Sequence, residues 1–128
     1  MAILSVSTIS NAFSTGGGGV HFEEQIQAMF LLSLMIDGFC SAMGERTKRV
    51  CFQAKHLGYD VDDLVVFTDR DRGNSEGKLL CQVKHSITAT ENDKTFKQFV
   101  CAAWNDLNKD NFDEDRDRIA LVTAIYWN

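Results

Sequence analysis

The sequence predicts an α/β domain with a mixed sheet flanked by helices, in the order helix, three strands, helix, strand (αβββαβ). Three observations lead there. Two long stretches, His21 to Phe39 and Thr90 to Asn108, carry apolar residues at helical spacing. Between them stand three short runs rich in β-branched and apolar residues, and a fourth apolar run, IALVTAI, follows the second helix. With 128 residues, 45% of them hydrophobic and 24% charged, the chain has the size and composition of one globular domain rather than a disordered segment.

Taken in order, residues 1–14 are small and polar without a clear period and read as a flexible arm, with a short strand at Ala2 to Val6 as the alternative. Residues 15–128 form the domain. Gly16-Gly17-Gly18-Gly19 lacks the Lys-Ser/Thr of a P-loop and reads as a pliant lead-in to the first helix. In that helix Phe22, Ile26, Met29, Phe30, Leu32, Leu34, Met35 and Ile36 cover almost the whole circumference, which predicts burial on nearly every side, in the core or against a partner. Glu45 to Arg49 reads as a solvated turn, Val50 to Lys55 as the first strand of the central three and Val61 to Thr68 as the second. Asp69 to Lys78 is a polar hairpin loop and Leu79 to Ser86 the third strand. In the second helix Phe96, Phe99, Val100, Ala103, Trp104 and Leu107 make the core stripe, with Thr90 or Asn92 as its cap. Asp113 to Arg118 is charged and exposed, and Ile119 to Ile125 is a buried strand.

Composition removes several function classes. A net charge of −5, with acids gathered between Asp106 and Asp117, argues against a large autonomous nucleic-acid surface, because phosphate affinity rests on Lys and Arg. The longest apolar run, Ala28 to Ile36, falls short of the roughly 20 residues that span a bilayer, so no membrane partner is expected. Cys40, Cys51, Cys81 and Cys101 are spaced 11, 30 and 20 apart, which is neither metal spacing nor a disulfide framework. Buried free thiols in a cytoplasmic protein are the expectation. His21, His56 and His85 also lack metal-ligand spacing.

The chemistry lies in two strand-like runs, Val61-Asp62-Asp63-Leu64-Val65-Val66-Phe67 and Leu79-Leu80-Cys81-Gln82-Val83-Lys84-His85. Each places polar or charged groups in a segment that otherwise reads as buried, and unpaired buried charge costs several kcal/mol or more. Gln82 and Lys84 are two apart and so share a strand face, and a neighbouring strand can bring Asp63 beside them. Taken alone, Asp62-Asp63 reads as a hydrated start to a strand, and Gln82 with Lys84 as the solvent face of an edge strand. Taken with Glu23 on the preceding helix, the group suits a divalent metal and a nucleophilic water.

This order of elements, with an acid before one strand and Gln-x-Lys in the next, resembles the PD-(D/E)xK nuclease superfamily, the restriction-endonuclease-like fold. It is most similar to the Mrr-like, N-terminal double-stranded DNA endonuclease domains of bacterial antiphage proteins, fused to STAND-type NTPases or to nucleotide-sensing modules. The resemblance rests on Thr15-Gly16-Gly17-Gly18-Gly19-Val20-His21-Phe22-Glu23, on Asp62-Asp63-Leu64-Val65-Val66 and on Gln82-Val83-Lys84-His85-Ser86. It implies Asp63 as the metal-binding acid, Gln82 in the second acid position, Lys84 as the signature lysine and Glu23 as the acid supplied by the first helix. Gln82 departs from the usual Asp or Glu; an amide oxygen coordinates a hard cation but adds no charge, so affinity would lean on Asp63, Glu23 and the Val83 carbonyl. Ser86 and Gln27 are candidate phosphate contacts, while Lys48-Arg49 and Lys55 read as solvated basic positions, with contact to DNA phosphates as the alternative.

The activity so implied is metal-dependent hydrolysis of a DNA phosphodiester, with Mg²⁺ or Mn²⁺ neutralising phosphate charge and acidifying a water, and with Lys84 orienting that water or stabilising the transition state. The implied partners are double-stranded DNA, the other domains of a longer defence protein of which this is the N-terminal module, and further copies of the chain in a homo-oligomer. Two other readings stand beside it: a catalytically inactive nuclease-fold module for DNA binding or assembly, which Gln82 favours, and a small interaction domain, which the negative charge favours.

Overall fold

A computed structural model describes residues 2–7, 18–69 and 76–125 of the chain. The elements are β1 (Ala2–Ser7), α1 (Gly18–Met35), β2 (Phe39–Cys40), β3 (Glu45–Phe52), a 3₁₀ turn (Ala54–Leu57), β4 (Leu64–Asp69), β5 (Glu76–Lys84), α2 (Lys94–Leu107) and β6 (Arg118–Ile125). They form one mixed sheet in the order β1-β6-β5-β4-β3-β2. The centre, β3-β4-β5, is antiparallel, whereas β6 runs parallel to both β5 and β1. The α/β class and the αβββαβ order therefore stand, with β1 and β2 added at the two edges. β1 takes the strand alternative for the start of the chain; the remainder of the 1–14 arm lies outside the described residues.

Strand alternation divides the core in two. On one face Leu64, Val66, Leu79, Cys81, Val83, Ala120 and Val122 pack beneath Phe22, Ile26 and Phe30 of α1. On the other, Val65, Leu80, Ile119 and Leu121 pack beneath Phe99 and Ala103 of α2. Both helices therefore cover the sheet, one on each side, and its central strands read as near-continuous hydrophobic runs because both of their faces are buried.

Several sequence expectations are corrected. α1 does not bury nearly all its circumference: Phe22, Ile26 and Phe30, four apart, make one stripe, while Leu32 is 56% and Met35 81% exposed, and Ile36 and Phe39, which lie beyond the helix, are each 68% exposed. Helix period told which residues face the sheet, but apolar content alone overstated the contact. Trp104 is likewise not a core residue; it is 67% exposed, while its neighbour in the stripe, Phe99, is buried. Glu45 to Arg49 is strand, not solvated turn, because its inward polar groups find partners: Glu45 Oε2 accepts from Thr68 Oγ1 at 2.7 Å, and the Thr47 and Ser33 hydroxyls lie 2.9 Å apart. The β3–β4 register slips between Thr47 and Arg49. The hairpin loop is shorter than expected, since β4 reaches Asp69 and β5 begins at Glu76.

The cap of α2 is neither Thr90 nor Asn92. Asp93 Oδ1 accepts from Phe96 N at 2.9 Å and its Oδ2 from Thr88 N at 2.9 Å, so one carboxylate closes both the helix and the loop before it. The acidic run is only partly solvated: Asp106 and Asp117 are buried. All four cysteines are free, but only Cys40 and Cys81 are buried; Cys51 is half-buried and Cys101 exposed. Among the described residues no helix is long and apolar enough to cross a membrane.

Candidate functional site

β4 and β5 separate beyond the Leu64–Cys81 pair. Upstream of Leu64 the chain stays with β3, because Gln53 N donates to Asp63 O (3.1 Å) and Ala54 N to Asp62 O (2.7 Å). β5 continues to Lys84 with β6 still paired on its other side. The Val83 N–H thus faces the gap between the separated strands, and the Asp63 carboxylate fills the place of the missing strand. Asp63 Oδ2 accepts from Val83 N at 2.9 Å and from Gln82 Nε2 at 2.6 Å. In an extended strand the N–H and C=O of one residue lie on the same side, so the Val83 carbonyl faces the same gap.

Leu80 belongs to the α2 side of the core, and Gln82 and Lys84 follow it on that face. With Asp60, Asp62 and, on α2, Thr95 and Gln98, they line an open cleft of about 230 Å³. Among the described residues Lys84 Nζ has no hydrogen-bond or ion-pair partner, although its side chain is half-buried. Its charge acts on both nearby acids. Burial raises the Asp63 carboxyl above its ordinary value, against the opposing pull of the Val83 N–H and of Lys84. Burial also raises Glu23, helped by repulsion from Asp63 and opposed by Lys84.

Glu23 comes from α1, on the other side of the sheet. Its Oε1 accepts from Gln53 Nε2 at 3.2 Å and, more weakly, from Gln27 Nε2 at 3.5 Å. Asp63, Gln82 and Lys84 are therefore gathered around one strand end, and Glu23 approaches from the opposite face closely enough for the Asp63 charge to raise its proton affinity. Gln27 shares the Glu23 face, as the helix spacing requires. Ser86 lies past the end of β5, not on its face, with its hydroxyl 3.0 Å from His85 Nδ1. His85 itself turns to the α1 side, edge-on to Phe22 with ring centroids 5.5 Å apart. Lys48 and Arg49 are engaged by Glu76 at 3.1 and 3.2 Å, and Arg49 also covers the Phe67 ring.

One residue of the surroundings was legible only in retrospect. Asp106, fully buried, accepts from Asp60 N (2.8 and 3.1 Å) and Val61 N (2.7 Å) and pairs with Lys109 Nζ at 2.7 Å. It ties the end of α2 to the turn that leads into Asp63. Its spacing of three from Ala103 and seven from Phe99 placed it on the buried face of α2, but the surrounding acids suggested solvent.

The donors around Asp63 suit a hard divalent cation in kind: two carboxylates, Asp63 and Glu23, and the neutral oxygens of Val83 and Gln82. Burial, the main cause of both raised values, disfavours the charged carboxylates, a cost that a bound cation would offset. Gln82 fits only after its amide turns, since its nitrogen now faces Asp63; rotation about the terminal torsion permits this. Among the described residues no three His, Cys, Asp or Glu side chains are grouped to hold a metal, so neutral oxygens would have to complete the shell. Compared with protein-family models, with curated proteins and with solved structures, the chain matches none.

Proposed function

We propose that the chain is a metal-dependent endonuclease domain of PD-(D/E)xK type that hydrolyses DNA phosphodiester bonds, with Asp63, Glu23, Gln82 and the Val83 carbonyl holding Mg²⁺ and Lys84 acting on the phosphate. The observation that carries this reading is the half-buried, unpartnered Lys84 ammonium beside the Asp63 carboxylate at the open end of β4 and β5. A lysine spared from any internal ion pair is free to meet an anion, and a phosphate is the anion that both a lysine and a carboxylate-bound cation would serve. A divalent cation would supply charge neutralisation and an acidified water. Lys84 would orient that water or stabilise the charge that builds on the phosphoryl oxygens, and Val83 N–H fixes the Asp63 carboxylate that faces it.

The same reading places the domain as the effector of a cytoplasmic antiviral defence protein, where unpaired cysteines persist as thiols, and delivers double-stranded DNA through other domains and through assembly of several copies. The exposed apolar surface of Met35, Ile36 and Phe39 supports an oligomer. The test is cleavage of supercoiled plasmid by the full, assembled protein with Mg²⁺, compared with Lys84→Ala and Asp63→Ala. Loss of cleavage in both variants is expected; cleavage at the parental rate in both removes this site from the mechanism.

A second reading, a nuclease-fold module that binds or assembles without cutting, is favoured by one observation. The Gln82 amide already satisfies Asp63 with a 2.6 Å hydrogen bond and needs no cation to do so. Absence of cleavage by the activated parent, with DNA binding retained, would select it.

A further inference from the structure

We infer that Gln53 is a positioning residue that holds the Glu23 carboxylate toward the Asp63 end of the sheet, an inference that deepens the metal-site reading above. Gln53 adopts a left-handed backbone (φ 49, ψ 56), a conformation that non-glycine residues rarely take. Outside glycine, such conformations persist where the surroundings over-determine them. Alternation shows what this one accomplishes. Val50 and Phe52 pack on the α1 side of the sheet and Cys51 on the α2 side, so regular strand geometry would send Gln53 to the α2 side. Its amide nitrogen instead reaches Glu23 Oε1, on α1, at 3.2 Å. The left-handed turn carries the side chain across the sheet edge while leaving Gln53 N bonded to Asp63 O at 3.1 Å. One residue thus grips the backbone of one acid and the side chain of the other, from opposite faces.

Hydrogen bonds that orient a metal-ligating carboxylate typically govern affinity about 10- to 100-fold. Two substitutions separate this role from a structural one. Gln53→Gly accepts the left-handed backbone without strain but lacks the amide. Gln53→Met keeps the bulk and the strain but cannot donate. In the full-length protein both should weaken Mn²⁺ binding about tenfold by calorimetry, while Gln53→Gly melts at or above the parental temperature. In the metal-free protein, side-chain couplings of Glu23 should report one rotamer in the parent and averaging in both variants.

If the parent binds Mn²⁺, Asp63→Ala does not, and both Gln53 variants bind as the parent does, the inference is overturned while the metal site stands. If the parent binds no Mn²⁺, the metal-site reading fails and the rotamer measurement decides on its own. An ordered Glu23 that averages in both variants supports the tether, and equal averaging in parent and variants overturns it.

Discussion

Replacing Asp106 by alanine would remove the acceptor on which the approach to Asp63 hangs. The carboxylate takes two backbone N–H groups, of Asp60 and Val61, and pairs with Lys109. The Val61 N–H is buried, and stranding a buried donor costs about 1–3 kcal/mol. The Asp60 N–H is only part-buried, and Lys109, 30% exposed, regains water; these add about 1 kcal/mol together. The expected loss is about 2–4 kcal/mol, on the order of 10 °C in melting temperature for a domain of this size. Asp106→Asn retains one acceptor oxygen and should lose about half as much, whereas Lys109→Met leaves the buried carboxylate with only its two backbone donors and should cost about 3 kcal/mol. Urea denaturation of the three variants at fixed pH measures the differences, with an unchanged denaturant slope showing that the change lies in the folded state. A loss below about 1 kcal/mol for Asp106→Ala would refute the clamp.

The two raised acids make a pH prediction. Their folded-state values lie above the unfolded ones, so protonation favours the fold, and the stability they withhold at neutral pH returns as pH falls through the raised values into the ordinary carboxylate range. Asp63→Asn should therefore raise the melting temperature near pH 7, with a gain that shrinks on acidification; a gain independent of pH contradicts the assignment. Native alkylation should label Cys101 first, while burial, which pushes the Cys81 thiol far up, keeps Cys81 silent until the protein unfolds; mass spectrometry of labelled peptides reads the order. Met35→Lys combined with Phe39→Ser should change stability by less than about 0.5 kcal/mol per site, since neither side chain is buried. If that surface mediates self-association, the same pair should reduce it in sedimentation velocity.

Much of the fold was legible because two periods are hard to confuse. Ile119 to Ile125 and Leu64 to Phe67 carry too little polarity for anything but inner strands, and the β4–β5 pairing follows from the short polar loop that joins them in sequence. What escaped reading were groups whose polarity is satisfied at a distance. Glu45 and Asp106 are ordinary surface residues until Thr68 and the Asp60–Val61 backbone, 23 and 45 residues away, supply their partners. The approach of Asp63, Gln82 and Lys84 was readable from strand alternation, since it needs only two adjacent strands. The link from Gln53 to Glu23 was not, because alternation points Gln53 to the wrong face and only a left-handed turn reverses it. Trp104 shows the converse error, in which an apolar residue at helical spacing lies just outside the stripe that meets the sheet.

The parallel pairing of β1 with β6 has a consequence for the order of assembly. The β3-β4-β5 meander joins neighbours in sequence and can form from local encounters, whereas β1 meets its partner across more than a hundred residues (Ala2 opposite Ala120). Contacts that close such a loop come late. A ribosome-bound chain would thus carry β1 without this partner until β6 is made. Weakening β1 should hasten unfolding while leaving the refolding rate nearly unchanged, a signature of an element that fastens the sheet after the rest has taken shape.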